Sequence, residues 1–489
     1  MAEVHGPKAT GARDGGPEAG DDPLALRSDP EAGPGGRRAA AYAAREPNPA
    51  RVLALGFAGV ILLGSLLLSL PFAWEPGRRV AYLDALFTAT SAVCVTGLVV
   101  VNTAETFSTA GELIILTLIQ VGGLGIMTMS TLFAILVGKR ITFRERLLIQ
   151  ESLGQPSPAG MVRLVLYVAS VTAAFELVGA TLLTLYWWLA YDMPFGLAAY
   201  RGLFHAVSAF NNAGFDVFDS RRPSLERFVG DPVITLVIGG LIVAGGLGFT
   251  VLADLGRRLV HRRHRLSLHT RLVLGTTAAL LVLGTVLVAA GEWSNPATMG
   301  ALPAGRKLWA AFFHSISPRT AGFNMLPMAE LTSLTVLTTI LLMFVGGSPA
   351  GTAGGIKTTT LALLLATVRA TIRGEDELVL MERRIPTLVV AKALALAVIA
   401  AGLVLAVTVA MLLWDHHSLE ATIFEVVSAF GTVGLSLGIT PDLSPVGKVL
   451  ILLTMYAGRV GPLTLAVALT QRGRRPRALR YPEERVLVG

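Results

Sequence analysis

Charged residues are scarce in this sequence. Asp, Glu, Lys and Arg make up 15% of its 489 residues, whereas a typical soluble protein contains about 25%. Hydrophobic residues make up 53% of the chain, so too few charges remain to solvate a globule of this size. The composition argues against a soluble enzyme and favours a membrane protein.

Cysteine is nearly absent, since Cys94 is the single one. A lone cysteine excludes a disulfide framework and a Cys/His zinc site, and it is interpreted as a small packing residue. The HExxH motif is missing, the apolar segments hold no paired acids, and no nucleotide-binding fingerprint follows a predicted strand. We therefore expect no enzymatic activity and no cofactor bound by this chain.

Residues 1–50 differ from the rest, with eight Gly and seven Pro and few large apolar side chains. Such a segment cannot bury enough surface to offset its ordering entropy. It also has no compact apolar region before a small-residue cleavage site, as a signal peptide would. We predict a disordered cytoplasmic tail.

Long apolar stretches recur from Arg51 onward. About 20 residues are needed to cross a hydrocarbon core of about 30 Å, and eight spans of this kind are predicted: 52–70, 110–137, 163–190, 233–255, 271–290, 331–372 (interrupted), 389–413 and 446–470. Taken two at a time, the spans form four pairs, and one segment of about 12 residues lies between the two spans of each pair: 82–93, 200–211, 308–318 and 419–430. Helices that short cannot cross a membrane. We expect these four to be re-entrant or interfacial.

Basic residues cluster in the connections after the second, fourth and sixth spans and in the C-terminal tail. They are Lys139, Arg140, Arg144 and Arg146; Arg257, Arg258, Arg262, Arg263 and Arg265; Arg369, Arg373, Arg383 and Arg384; and Arg472, Arg474, Arg475, Arg477 and Arg480. All fall on one side if the spans alternate, and that side is the cytoplasmic one. Both termini are then cytoplasmic. The net charge of +8 thus reflects topology rather than a nucleic-acid partner, and docking of a protein by one cluster stays open.

The four short segments resemble one another, which indicates an internal repeat. They read YLDALFTATSAVCVTGL, YRGLFHAVSAFNNAGF, LWAAFFHSISPRTAGF and LEATIFEVVSAFGTVGL. Each has a Phe ten positions before a Gly: Phe87 and Gly97, Phe204 and Gly214, Phe312 and Gly322, Phe424 and Gly434. We predict repeats at 51–140, 160–260, 268–374 and 386–472, with a cytoplasmic tail at 473–489.

A short helix followed by a glycine loop suits an ion filter. The C-terminal end of a half-crossing helix carries a partial negative charge that stabilises a cation. The loop carbonyls must line a polar cavity or coordinate an ion, and glycine permits the positive φ that turns them toward a common axis. The alternative is that each glycine merely ends a re-entrant helix and packs tightly.

The sixth span contains the run SPAGTAGGIKTTT at 348–360. Proline removes a backbone hydrogen bond and glycine weakens a helix, so the helix must break. Broken backbone at membrane depth belongs beside water, which indicates the pore; a packing kink is the alternative. The second helices of the other repeats share the motifs VGGLGIMT (121–128), AGGLGFTV (244–251) and AGRVGPLT (457–464).

Four charged residues lie within or beside these elements. Arg459 is costly at membrane depth unless it faces the interior or a partner, so we expect it beneath the filter. Lys357 either acts with it or snorkels to the cytoplasm. Arg319 is expected to stabilise the third loop by bonding its carbonyls, and Glu176 to pair with a neighbouring helix rather than to bind an ion.

These repeats resemble the potassium transporter superfamily that includes the Trk, Ktr and HKT proteins, and TFRERLLIQESL (142–153) and RYPEERVLVG (480–489) are most similar to KtrB-type membrane subunits. The resemblance implies an all-α membrane protein with four helix–pore-helix–helix repeats around one pseudo-fourfold pore. It places potassium-coordinating carbonyls on Val95, Thr96 and Gly97; Asn212, Ala213 and Gly214; Thr320, Ala321 and Gly322; and Thr432, Val433 and Gly434. It places an intramembrane gate on Gly346, Gly347, Pro349, Gly351, Thr352, Gly354, Gly355, Lys357 and Arg459.

The resemblance also implies potassium-selective uptake across the bacterial plasma membrane, with sodium as a possible stimulator. The implied assembly is a homodimer, held in part by the tail ending at Gly489, with cytosolic KtrA-type subunits that bind nucleotide. An ion-coupled carrier, such as a sodium/potassium symporter, is the alternative. A coupled carrier normally needs carboxylates at the midplane, for which Glu176 alone is thin support.

Overall fold

The computed structural model describes residues 49–136, 160–218, 224–261, 263–375 and 377–461, together with Thr464. The predicted tails at 1–50 and 473–489, apart from Pro49 and Ala50, lie outside these ranges. So do the basic connection at 139–146, Arg262 and the segment 142–153.

The helices follow the chain in four groups, each with a long helix, a short helix and a further helical segment. The first group holds α1 (Pro49–Leu68), α2 (Tyr82–Cys94), the single turn α3 (Thr103–Thr106), α4 (Thr109–Leu124) and α5 (Ile126–Leu136). The second holds α6 (Met161–Ala190), α7 (Phe195–Phe210), α8 (Pro232–Leu247) and α9 (Phe249–Val260). The third holds α10 (Leu268–Glu292), α11 (Ala304–Ile316), α12 (Ser333–Phe344) and α13 (Thr358–Ile372). A two-stranded hairpin, β1 (Val379–Leu380) and β2 (Arg383–Arg384), precedes the fourth group of α14 (Thr387–Trp414), α15 (Leu419–Gly431) and α16 (Pro445–Val460).

The first helix of each group is long and apolar enough to cross a membrane, and within the described residues these are the four unbroken helices of that kind. The predicted continuous spans at 110–137 and 233–255 are interrupted. Gly125 (φ +82°, ψ 140°) separates α4 from α5, and Gly248 (φ +90°, ψ 144°) separates α8 from α9, which are bent by 105°. A helix cannot continue through such a backbone conformation, which glycine alone adopts readily. The last glycine of each GGLG motif is therefore a break.

The third group is interrupted more widely, as its proline and glycines predict. α12 ends at Phe344 and α13 begins at Thr358. The intervening residues 345–357 form a loop whose two ends pair, since Val345 and Ile356 make a parallel bridge. We call residues 345–357 the intramembrane loop. It packs inside the protein and is not a surface connection between helices.

The short helices form the core and the long helices surround them. In α15, ten of 13 residues are buried, whereas in α14 four of 28 are. Leu394, Val398 and Leu405 of α14 are exposed. Exposed aliphatic side chains along helices of spanning length fit a lipid environment, so burial separates the inner elements from those that face the bilayer.

The first and last groups contact each other. The Lys448 ammonium lies 2.7 Å from the Asp84 carboxylate, which joins α16 to α2. The Tyr456 hydroxyl donates to the Ala54 carbonyl at 2.7 Å, which joins α16 to α1. The four groups therefore close into a ring rather than forming an open row.

Candidate functional site

The loop after each short helix has the same backbone geometry. The residue two positions before the repeat glycine is left-handed in every case: Val95 (φ 57°), Asn212 (φ 59°), Thr320 (φ 72°) and Thr432 (φ 51°). The glycines follow at positive φ: Gly97 (92°), Gly214 (70°), Gly322 (75°) and Gly434 (96°). Positive φ is uncommon outside glycine, so its recurrence at equivalent positions marks one structural motif used four times. We call residues 95–97, 212–214, 320–322 and 432–434 the four glycine loops.

Serines near the ends of the short helices hold these loops. The N–H groups of Thr96, Ala213 and Val433 each donate at 2.8 Å to the carbonyl of the serine five residues earlier. The Ser91 and Ser428 hydroxyls accept from the N–H groups of Gly97 and Gly434 at 3.0 and 3.1 Å. The loop N–H groups thus point back into the protein.

In the third loop, the hydrogen bond from the loop N–H to the serine carbonyl spans one residue fewer. Ala321 donates to the carbonyl of Ser317 at 2.9 Å, four residues earlier rather than five. Phe313 is fully buried, whereas Phe312, the residue aligned from the sequence, is only partly so. The Phe-x-x-x-Ser spacing of the other repeats is retained by Phe313 and Ser317. This spacing was the available signal, and the alignment from Gly322 missed it.

The four loops surround a common axis. A Cβ atom added to any of the four glycines would lie within 3.0 Å of a carbonyl oxygen in the next loop. Gly97 faces Ala213, Gly214 faces Ala321, Gly322 faces Val433, and Gly434 faces Thr96. The contacts pass through all four loops and return to the first. All twelve residues predicted for the filter are therefore brought together in one closed ring.

Glycines in the helices that follow the loops allow close packing on the short helices. A Cβ atom at Gly122, Gly245 or Gly458 would collide with the carbonyl oxygen of Val93, Phe210 or Phe430. These three carbonyls lie four residues before the glycines of loops one, two and four. The related VGG, AGG and AGR motifs were visible in the sequence, but this packing role was not predicted.

The intramembrane loop contacts the second group. Ser348 N–H donates to the Gly246 carbonyl and Phe249 N–H donates to the Ala350 carbonyl, both at 2.9 Å. The Thr352 hydroxyl and the Asn212 side-chain amide are hydrogen bonded at 3.3 Å. The loop therefore packs directly against both α8 and the second glycine loop.

The same loop contacts the fourth group. A Cβ atom at Gly354 would lie within 3.0 Å of the Thr432 hydroxyl, and one at Gly355 would lie 3.4 Å from the Gly431 Cα. Pro349, Gly346, Gly347 and Gly351 belong to the same packed segment. Gly346 and Gly354 thus lie against the third and fourth glycine loops, whereas Gly347, Pro349 and Gly351 lie against the end of α8 and Gly248.

Two basic side chains, Arg459 and Lys357, donate hydrogen bonds to the intramembrane loop. The Arg459 guanidinium donates to the carbonyls of Thr352 and Gly122, and to that of Gly123 at 3.5 Å. Arg459 therefore links the fourth, third and first groups. The Lys357 ammonium donates to the Ala353 carbonyl at 2.6 Å and the Gly354 carbonyl at 3.4 Å, so it binds the loop instead of snorkelling away.

The predictions for two further charged residues, Glu176 and Arg319, have different outcomes. Glu176 pairs with the neighbouring helix α4, as expected, through Gln120. Arg319 does not bond the carbonyls of the third loop. Its guanidinium lies 3.4 Å from the Thr277 hydroxyl of α10, and its Nε has no partner among the described residues. The guanidinium is therefore held against α10 instead of the third glycine loop.

Residues 434–438 read G-L-S-L-G, the spacing of a hydrolase nucleophile motif. That motif requires a strand before the serine and a helix after it. Here it follows the helix α15, and the Ser436 hydroxyl accepts from Thr440 at 2.9 Å. The spacing therefore lacks the structural context that catalysis needs.

Comparison with known proteins places the chain in a family. The TrkH family, described as a cation transport protein, matches residues 62–473. The Ktr system potassium uptake protein B of Bacillus subtilis (strain 168) is 41% identical over 90% of this chain and 97% of that protein. The protein of the same name from Vibrio alginolyticus is 39% identical over 90% of this chain and 94% of that one.

The fold is similar to that of a solved structure. The crystal structure of the potassium transporter TrkH from Vibrio parahaemolyticus matches with a TM-score of 0.66 at 19% identity, over 85% of this chain and 84% of that one. The fold is therefore mostly helical and resembles that of a membrane transporter. With the family match over most of its length, the chain belongs to the TrkH family of cation transport proteins.

Proposed function

We propose that this protein carries potassium across the bacterial plasma membrane as a selective, channel-like pore. The closed ring of four glycine loops is the observation that carries the proposal. The relatives named as potassium uptake proteins support the choice of ion. Backbone carbonyls from the four loops would replace the hydration shell of the ion, as in other potassium-selective pores.

The short helices add to this electrostatic environment. α2 and α15 end directly at their glycine loops, α7 ends one residue before its loop and α11 three residues before its loop. Their C-terminal ends carry partial negative charge, which favours a cation at the centre of the ring. The proposed filter thus combines carbonyl ligands with four converging helix ends.

The intramembrane loop and Arg459 form the proposed gate. The loop packs against the second and fourth glycine loops, and Arg459 ties it to α4 and α16. A guanidinium there would also repel a permeating cation. Opening would require these hydrogen bonds to break or to be exchanged.

The proposed arrangement has eight crossings, with the second helices broken rather than straight. The four predicted repeats, both termini on the cytoplasmic side and four re-entrant short helices belong to this proposal. The proposed assembly is a homodimer controlled by cytosolic nucleotide-binding subunits of the KtrA type, because an unregulated pore would dissipate ion gradients. The names of the relatives, which refer to a Ktr system, are consistent with such partners.

Flux measurements in liposomes test the proposal. The purified chain should pass potassium or rubidium at least about tenfold faster than sodium at equal driving force, a ratio equivalent to about 1.4 kcal/mol. Protein-free liposomes are the control. Equal potassium and sodium flux would contradict the filter. Potassium flux that stops without an inward sodium gradient would favour the symporter.

A further inference from the structure

Three polar side chains meet behind the second glycine loop. The Asn211 amide donates at 2.9 Å to both the Glu176 carboxylate and the Gln120 carbonyl oxygen. The Gln120 amide donates to the other carboxylate oxygen of Glu176 at 3.3 Å. We call Glu176, Gln120 and Asn211 the anchor cluster. It joins α6, α4 and the residue that follows α7.

The cluster is well enclosed. Glu176 is 8% exposed and Asn211 is fully buried. A Cβ atom at Gly123 would collide with the Asn211 side chain, so α4 packs directly on this amide. Buried polar groups depend on their partners, because a lost partner leaves the remaining group desolvated and unpaired.

Asn211 is connected to the pore elements through its neighbour in the chain. Asn212, the first residue of the second glycine loop, bonds the hydroxyls of Thr320 at 3.2 Å and Thr352 at 3.3 Å. Thr320 belongs to the third glycine loop and Thr352 to the intramembrane loop. A shift of Asn211 would therefore move contacts of two further pore elements.

The other loops have different residues at the position of Asn211. Cys94, Arg319 and Gly431 stand three residues before their glycines. Among the four loops, the second is therefore the one that has an asparagine at this position to join the anchor cluster.

We propose that Glu176 is a positioning residue for the second glycine loop, acting through Asn211 to set potassium over sodium selectivity. This inference rests on the proposed function. Both carboxylate oxygens accept from amides, so the proposed role of Glu176 is to hold Asn211 by hydrogen bonding.

Substitutions at Glu176 separate hydrogen bonding from charge. In liposome flux, Glu176→Leu removes two buried hydrogen bonds and should lower the potassium-to-sodium flux ratio about tenfold or more. Glu176→Gln keeps an acceptor for Asn211 and should stay within about twofold of wild type.

The control is another buried carboxylate. Glu292, fully buried, accepts from Asn295, Thr298 and Thr332, outside the glycine loops. Glu292→Leu should lower thermal stability in detergent while leaving the flux ratio unchanged. That result separates a general loss of stability from a loss of selectivity.

Two results would overturn the inference: an unchanged ratio in Glu176→Leu, or an equal loss in Glu176→Gln. If Glu176→Leu does not fold, Gln120→Leu removes two of the three cluster bonds and should lower the ratio; an unchanged ratio there also overturns it. A wild-type protein that fails to discriminate potassium from sodium would instead overturn the proposed function, and the inference with it.

Discussion

At the scale of single residues, Gly97 is the sharpest test of the ring. Its φ is +92°, and an added Cβ would meet the Ala213 carbonyl at 2.5 Å. Gly97→Ser should strain the first loop and displace the second, because neither backbone can yield without moving its carbonyls. Strain of this kind costs about 1–3 kcal/mol, so we expect the potassium-to-sodium flux ratio to fall about tenfold or more.

Gly77 is the matched control for this change. It has a similar φ of +84°, with no atom within 4 Å of an added Cβ. Gly77→Ser should share the backbone strain and retain selectivity. Unchanged selectivity in Gly97→Ser, or equal losses in the two variants, would contradict the assignment of the first loop to the filter.

Arg459 tests the gate at the same scale. Arg459→Met removes the hydrogen bonds to the Thr352 and Gly122 carbonyls and the positive charge. We expect potassium flux to rise roughly thirtyfold, the effect of about 1 kcal/mol for each of these two lost hydrogen bonds. Arg369→Met, an exposed position on α13, is the control. A folded Arg459→Met protein with wild-type flux would refute the proposed role of Arg459 in the gate.

Some residues were predictable from the sequence and others were not. The positive φ of the four loop glycines was predictable, because the same motif recurs every hundred residues or so and glycine adopts that conformation readily. The direction of Arg319 was not predictable, because its partner Thr277 lies on α10, 42 positions away. The one-residue offset of Phe313 and Ser317 was visible as the Phe-x-x-x-Ser spacing, but the alignment counted back from Gly322 selected Phe312 instead.

At the scale of elements, the glycine breaks in the second helices provide a matched pair. Gly125 and Gly248 have nearly the same conformation, but only Gly248 abuts the intramembrane loop, at the Pro349 carbonyl. Both Gly→Ala substitutions should destabilise the protein by about 1 kcal/mol or more, since alanine is strained at positive φ.

The two variants should differ in transport. Gly248→Ala must displace the intramembrane loop and should raise potassium flux, whereas Gly125→Ala should leave it near the wild-type rate. Flux assays at matched protein amounts, with thermal denaturation alongside, check this. Equal flux in the two variants would show that the loop is insensitive to its contact with α8.

The lengths of the helices were largely predictable, since apolar runs and the membrane thickness determine them. α10 and α14 begin and end close to the predicted spans. The breaks at Gly125 and Gly248 were missed because an isolated glycine is tolerated in a helix. The glycines that pack on α2 and α7 are Gly122 and Gly245, three residues before each break.

At the scale of the whole molecule, the ion pair between Asp84 and Lys448 closes the ring. The two residues are 364 positions apart and both are largely shielded, with side chains 20% and 16% exposed. Lys448→Met should lower the free energy of unfolding by about 2 kcal/mol, as for other hydrogen bonds to charged groups. Thermal denaturation in detergent measures the effect.

A double-mutant cycle with Asp84→Asn isolates this pair. Lys392→Met, at an exposed site on α14, is the control and should change stability little. If the effects of Lys448→Met and Asp84→Asn simply add, the pair does not hold the first and last groups together.

That the chain is a membrane protein could be predicted from its overall composition, and the fourfold repeat from the regular spacing of its similar segments. The closure of the ring could not, since it depends on contacts such as that between Tyr456 and Ala54, more than four hundred positions apart. Sequence periodicity carries no information about which distant side chains meet.

The contacts among the glycine loops also have a direction. The carbonyl oxygen nearest each glycine belongs to the loop that follows it in the chain, and the one nearest the last glycine belongs to the first loop. The ring is therefore a directed cycle of unlike members, so its four quarters are not interchangeable although they share a motif. A bulky residue in one loop should disturb the following loop before the preceding one, and each loop can diverge in sequence only as far as its successor accommodates.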